Sequence, residues 1–120
     1  MPVYRDRVKD TTTTTGTGSV TLSGTAPVSY QAFATAFNVG DPFIYAIVDN
    51  TGGQWETGTG YLSASTTMVR DSVFDGSSGV GTLVNFNAGT KDVFVTVASH
   101  AVEDYDSGAI IAKVKRWALP

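Results

Sequence analysis

Turn residues recur along this chain about every eight to twelve residues, and a short alternating or apolar run lies between successive turns. This spacing is typical of a β-sandwich or barrel, in which each strand reverses after a few residues. Threonine and glycine are abundant while leucine is rare, and such a composition favours pleated strands and tight turns over helices. The predicted strands are Val20–Leu22, Phe43–Asp49, Gln54–Ser63, Thr67–Phe74, Thr82–Phe86 and Asp92–Ala98.

Three segments depart from simple alternation. Phe43–Asp49 is apolar on both faces, which predicts a central strand. Two glycines interrupt Trp55–Tyr61 and predict a bend, where the sheet curves or another backbone approaches closely. Between residues 29 and 37, apolar side chains recur at helical spacing behind Ser29, a candidate N-cap. We therefore expect at most one short helix, near residues 29–37.

Inward-facing apolar residues of these strands are expected to form the core, with Trp55 packed against them. Trp55 and Tyr61 share one face of a regular strand, so a sugar-stacking platform is the functional alternative to core packing for this pair. The predicted core residues are Phe43, Tyr45, Ile47, Val84, Phe86, Val93, Val95 and Val97.

The alternation breaks at Arg70-Asp71, which predicts a β-bulge.

Charge is segregated along the chain. Residues 1–9 carry a net charge of +2, residues 10–112 carry −8 and residues 113–120 carry +3. Solvated, fraying ends are one explanation of this pattern, and basic arms that contact an acidic neighbour are the other. We divide the chain into an N-terminal arm with a Thr-rich segment at 1–18, a β-sandwich domain at 19–100 and a C-terminal arm at 101–120. The predicted partner-contacting residues are Arg5, Arg7, Lys9, Lys113, Lys115, Arg116 and Trp117.

The sequence offers little for catalysis or for cofactor binding. It has no cysteine and one histidine, and neither of its two Gly-Thr-Gly segments continues into a nucleotide-binding loop. His100 has no partner at metal-ligand or triad spacing, so we predict no catalytic, cofactor-binding or metal-binding residue. An acidic body lacks the basic face that nucleic acid requires, and the longest apolar run is far shorter than the about 20 residues of a membrane span. We expect a soluble protein that is not an enzyme and that binds neither nucleic acid nor membrane.

Several motifs together resemble a known family. An Arg-Val-Lys run opens a Thr-rich tract at Arg7–Thr15, a Tyr-x-x-Phe segment follows at Tyr30 and Phe33, and a Trp-Glu-x-Gly-x-Gly core begins at Trp55. A Gly-Thr-Lys-x-Val-Phe strand closes the pattern at Gly89–Phe94. In this combination the chain resembles small structural virion proteins of tailed bacteriophages, of the head decoration (cement) or tail-module type.

The resemblance implies a compact β-sandwich, jelly-roll-like, without catalytic residues. It also implies a capsid decoration protein that bridges major capsid protein subunits and neighbouring copies of itself, in a virion assembled in the host cytoplasm. A homo-oligomer, as a dimer or trimer, is the expectation for repeated association of identical chains. The alternatives are a tail or receptor-binding module, a carbohydrate-binding module that uses Trp55 and Tyr61, and a hydrolase.

Overall fold

The computed structural model describes residues 2–99. The strands of this range are β1 (Lys9–Thr12), β2 (Val20–Thr21), β3 (Phe43–Val48), β4 (Trp55–Ala64), β5 (Thr67–Gly76) and β6 (Lys91–Val95), and the helix is α1 (Phe33–Ala36). No helix within these residues is long and apolar enough to cross a bilayer.

The described strands form an antiparallel sheet in the order β1-β6-β3-β4-β5-β2. A bridge from Thr12 to Leu22, one residue beyond β2, joins the two outer strands, so the sheet is nearly barrel-shaped. Closure of this kind protects strand edges that would otherwise pair with other chains. The predicted all-β fold with one short helix is confirmed, and the near-barrel is compatible with the predicted β-sandwich.

The core lies inside the curved sheet. Period-two alternation turns Phe43, Tyr45 and Ile47 of β3 inward, and all three side chains are fully buried. Their neighbours Ile44 and Ala46 face the other way and are buried as well. The prediction that this strand is central and apolar on both faces is therefore confirmed.

Two residues of the predicted core are exposed instead. Trp55 is 39% exposed because it lies on the opposite face of β4 from the buried Glu56, and Val97 is 59% exposed because it follows the end of β6. Val95 is partly buried and packs against the core. The remaining predicted core residues are buried.

The helix lies within the predicted segment, but Ser29 does not cap it. The N-cap position is Ala32, whose side chain makes no capping hydrogen bond, and Ser29 has a φ of +70°. Aromatic packing holds this single turn in place, since the Phe33 and Phe37 rings lie 5.1 and 4.7 Å from the Phe43 ring. The α1 segment therefore supplies core residues to the sheet.

Part of the predicted N-terminal arm belongs to the sheet. Lys9 pairs with Phe94 across β1 and β6, and alternation buries Val8, Asp10 and Thr12 on the inner face. These residues are sheet and core rather than a separate arm, because β6 offers them a complete antiparallel ladder. The predicted C-terminal arm, 101–120, lies outside the described residues.

The predicted strand Thr82–Phe86 does not form. Phe86 makes an isolated bridge to Gly16, and the backbone of Val84 bonds to side chains instead of a neighbouring strand. The β-bulge predicted at Arg70-Asp71 is present, because the register passes from Gly60–Arg70 to Thr59–Ser72 and leaves Asp71 unpaired in the ladder.

Candidate functional site

A buried carboxylate lies at the centre of the Trp-Glu-x-Gly-x-Gly segment. The β4 strand turns Glu56 toward the core together with the two glycines that follow, while Trp55 and Tyr61 share the outer face as predicted. The Glu56 side chain has no exposed surface. An unpaired buried carboxylate is strongly destabilising. The β4 strand is therefore stable in this position only if Glu56 has hydrogen-bond or ion-pair partners.

Arg70, on the neighbouring strand β5, is the principal partner. Its Nε lies 2.8 Å from Glu56 Oε2 and its Nη2 lies 2.5 Å from Glu56 Oε1, a bidentate pair. Tyr45 on β3 donates its hydroxyl hydrogen to Glu56 Oε2 at 2.6 Å. Three adjacent strands are thus joined through one carboxylate.

The same cluster holds two loops against the barrel. Arg70 Nη1 donates to the carbonyls of Gly16 and Gly18 at 3.1 and 3.3 Å, and Nη2 donates to the carbonyl of Val84 at 2.7 Å. Glu56 Oε1 accepts from the Val84 amide at 2.8 Å. We refer to Tyr45, Glu56 and Arg70 as the buried triad. It fastens the 13–19 and 77–90 loops, and no buried side-chain polar atom in the described range lacks a partner.

The electrostatics of the buried triad favour its fully bonded form. Burial, together with the adjacent Glu56 carboxylate, raises the pKa of Tyr45, so its hydroxyl remains a donor. Burial works to lower the pKa of Arg70, but the hydrogen bond and charge of Glu56 outweigh burial and leave it raised. The Glu56–Arg70 pair is enclosed and fully hydrogen-bonded. Its arrangement therefore fits a structural clamp and gives a substrate no access.

The glycines of the motif make room for this clamp. A Cβ at Gly58 would lie 2.3 Å from the Ser72 carbonyl oxygen and 2.9 Å from the Tyr45 hydroxyl, and one at Gly60 would lie 2.6 Å from the Val69 carbonyl oxygen. The predicted close approach of another backbone at these glycines is therefore confirmed.

Replacing Gly58 with alanine is expected to lower the free energy of unfolding by about 1–3 kcal/mol, since the methyl group overpacks the space beside Tyr45. Urea denaturation measures the change. Gly18→Ala is the matched control, because a Cβ there meets nothing within 4 Å. Equal stabilities of the two variants would contradict the close approach.

The predicted N-terminal bases lie together on the surface. The Arg7 guanidinium carbon is 4.0 Å from the centroid of the Tyr30 ring, and Lys9 Nζ is 5.2 Å from the same centroid. They border a shallow cavity of about 310 Å³, which we call the cationic groove. Its lining residues are Arg7, Val8, Lys9, Tyr30, Phe94 and Val95.

The backbone at the groove is held in an uncommon conformation. Arg7 has a φ of +57° and Ser29 a φ of +70°, the two non-glycine residues with positive φ in the described range. Arg7 Nε donates to the Ser29 carbonyl at 3.2 Å, while the Arg7 carbonyl accepts from the Gln31 amide at 2.7 Å. Non-glycine residues in this region carry strain that occurs preferentially at functional sites.

The other predicted contact residues are distributed differently. Arg5 is exposed, and its Nη1 donates to the Tyr4 carbonyl at 3.0 Å without lining the groove. Lys113, Lys115, Arg116 and Trp117 lie outside the described residues. The structure therefore brings Arg7 and Lys9 together at Tyr30, and Arg5 is not part of that cluster.

A second surface cavity lies at the turn between β3 and β4. It measures about 440 Å³ and is lined by residues that include Asn50, Gln54 and the exposed Trp55. Gln54 is fixed by donating to the Asn85 carbonyl at 3.1 Å and accepting from the Asn87 amide at 2.8 Å. An aromatic ring beside amide side chains is a composition suited to ligand contact.

Lys91 is a buried base that holds the Thr-rich segment against the sheet. Its Nζ donates to the Thr14 carbonyl at 2.9 Å, and burial lowers its pKa while the charge of Asp49 opposes that shift.

No group of three metal-ligating side chains occurs among residues 2–99. Neither a family model, a curated protein nor a solved structure matches this chain.

The pairing of Glu56 with Arg70 was missed by sequence reasoning. Two signals for it exist: Glu56 has the same strand parity as the inward glycines, and Arg70 and Lys91 are the two bases within the acidic stretch 10–112. A base inside an acidic stretch is a candidate for a buried ion pair, although its partner becomes evident only with the strand register.

Proposed function

We propose that this protein is a structural component of a tailed-phage virion, most specifically a decoration protein that binds the capsid surface and stabilises the head. The observation that carries the proposal is the combined motif pattern, whose separated segments resemble the small virion proteins described above. No family model or homologue contributes to this assignment.

The structure adds support because the motif segments contact one another. The Arg-Val-Lys segment enters β1 and pairs with the Gly-Thr-Lys-x-Val-Phe segment on β6. Lys91 of that segment bonds to the Thr-rich tract, and Tyr30 lies beneath Arg7 and Lys9. The pattern therefore describes the framework of one barrel, as expected for a scaffold that presents a surface rather than for a catalytic centre.

Binding without turnover would follow from this architecture. A clamped barrel changes shape little on association, and each copy contributes one modest contact to neighbouring capsid subunits. Repetition over a lattice turns such contacts into strong attachment, since linked binding events gain effective concentration. Heat resistance of the particle is the physical consequence, because every occupied bridge stabilises the assembled state by mass action.

Mixing the purified chain with undecorated capsids is expected to give saturable binding with a fixed number of chains per capsid subunit. Co-sedimentation measures the occupancy, and loss of packaged DNA on heating measures the stabilisation. Tail tubes from the same phage are the matched control. Binding to tails but not capsids would reassign the chain to the tail, and binding to neither would contradict the virion role.

A carbohydrate-binding module is the second candidate, because Trp55 is exposed beside a cavity with amide side chains instead of buried in the core. In that case Trp55→Ala is expected to abolish binding on a glycan array, while Val80→Ala, at a more exposed apolar position that does not line the cavity, leaves it unchanged. Absence of any glycan binding by the unmodified chain would remove this candidate.

A further inference from the structure

Accessible positive charge on residues 2–99 is confined to one place. Of the described bases, Arg70 and Lys91 are buried and engaged within the barrel. The remaining described bases, Arg5, Arg7 and Lys9, therefore carry all of the accessible positive charge. The described surface thus has one basic patch on an otherwise acidic body.

The cationic groove holds two like charges close together. The Arg7 guanidinium carbon and Lys9 Nζ lie 4.0 and 5.2 Å from the Tyr30 ring centroid. Asp92 lies 3.9 Å from Lys9 Nζ, a long and partly exposed contact of little strength, and Arg7 forms no salt bridge within residues 2–99. A carboxylate that accepts from both bases would offset their repulsion and gain charge-assisted hydrogen bonds.

The turn beside the groove presents an apolar side chain to solvent. The Tyr30 amide donates to the Pro27 carbonyl at 3.0 Å, and Ser29 adopts its φ of +70° at the third position of this turn, where glycine is favoured. Val28, at the second position, is 92% exposed. Arginine, tyrosine and an exposed apolar side chain together are typical of a protein–protein contact.

A surface of opposite charge lies on β5. No residue from Asp71 to Asp75 is buried. The bulge takes Asp71 out of the ladder with β4, and bulges re-aim side chains in this way. The Asp71 carboxylate is exposed and makes no hydrogen bond or ion pair with another residue of the described range. Asp71 can therefore bind a base on another molecule.

The other accessible acids are less suited to that role. Asp41 accepts from the Asn38 amide at 3.0 Å, Asp75 accepts from the Gly76 amide at 2.8 Å, and Asp92 accepts from the Asn50 side chain at 2.9 Å. Asp6 belongs to the basic patch itself. We propose that the cationic groove of one molecule binds Asp71 of a second copy of this chain.

The strand order favours a contact between two molecules over one within a molecule. The groove lies over β1 and β6. In the sheet, β5 is separated from these strands by β2 on one side and by β3 and β4 on the other. Because the sheet is nearly closed, the outer faces of β5 and β6 point away from each other. Asp71 therefore reaches the groove of a neighbouring molecule and not its own.

The resulting contact is heterologous, because the groove and Asp71 lie on different surfaces of each copy. Such contacts build closed rings when the rotation between copies closes, and filaments when it does not. The inference deepens the proposed function, which expects neighbouring copies to associate. Its test uses no capsids, so failure of the inference is distinguishable from failure of the proposed function.

The test compares full-length variants by sedimentation velocity at low salt. The groove variant is Arg7→Gln/Lys9→Gln and the acid variant is Asp71→Asn. Each is expected to lose self-association by at least about tenfold, because charge-assisted hydrogen bonds are lost. Asp75→Asn removes an exposed acid from the same strand, and Arg5→Gln removes a base outside the groove. Both of these controls are expected to associate within about threefold of the unmodified chain.

The groove variant also removes the hydrogen bond from Arg7 to the Ser29 carbonyl, so its folding is checked by urea denaturation. Lys9→Gln alone leaves that hydrogen bond in place. If the double variant is unstable, Lys9→Gln takes its place in every comparison, with the same direction of effect expected.

Mixing the groove variant with the acid variant gives the sharper result. Each variant retains one half of the contact, so the mixture is expected to form dimers of one chain of each kind and nothing larger. Raising the salt from about 0.05 M to about 0.5 M is expected to dissociate the unmodified oligomer, because exposed charges are screened. A monomeric unmodified chain, undiminished association of either folded variant, equal losses for Asp71→Asn and Asp75→Asn, or a mixture that stays monomeric would overturn the proposal.

Discussion

Replacing Arg70 with alanine is expected to lower the free energy of unfolding by about 3–5 kcal/mol. The substitution leaves Glu56, which has no exposed surface, without its bidentate partner, and it also frees the carbonyls of Gly16, Gly18 and Val84. Urea denaturation followed by tryptophan fluorescence measures the loss. The effect is large because an uncompensated buried charge remains, whereas loss of an exposed pair costs little.

Two controls separate charge from packing. Lys9→Ala removes the partly exposed contact with Asp92 and is expected to cost less than about 1 kcal/mol. The combined variant Tyr45→Phe/Glu56→Leu/Arg70→Met replaces the buried triad with apolar groups and is expected to be more stable than Arg70→Ala alone. A loss below about 1 kcal/mol for Arg70→Ala would show that the triad does not hold the barrel together.

Truncating Phe86 to alanine is expected to cost about 3–5 kcal/mol, as for a fully packed aromatic. Phe86 is 3% exposed, bridges to Gly16, and its ring centroid lies 5.2 Å from the Arg70 guanidinium carbon. Phe94→Ala, on the outer face of β6 and partly exposed, is expected to cost distinctly less. Denaturant titration of the two variants side by side measures the difference, and equal losses would contradict the inward and outward assignment of these rings.

Much of the fold follows from local pattern. Alternation and turn spacing predict the all-β class, and the apolar run of β3 predicts its central position, because period-two patterning depends on the strand itself. The predicted burial of Trp55 is wrong, because hydrophobicity alone does not decide which face of a strand a residue occupies. Alternation along β4 turns Glu56, Gly58 and Gly60 inward, and the same alternation places Trp55 on the outer face.

The candidate sites were partly predictable for a similar reason. Charge segregation is visible in the order of residues along the chain, so it identifies Arg7 and Lys9 without knowledge of the fold. Their contact with Tyr30 requires two segments more than twenty residues apart to meet, which no local pattern specifies. The Glu56–Arg70 pair spans two strands, and the bulge at Asp71 interrupts the alternation from which its partner could have been traced.

We propose that this chain is a virion structural protein that decorates the head. Electron cryo-microscopy of particles made with and without the chain tests it most directly. We expect an additional β-rich density repeated at equivalent positions over the head lattice, present only in particles that contain the chain. Identical heads in both preparations, with the chain absent from the particle or confined to the tail, would contradict it.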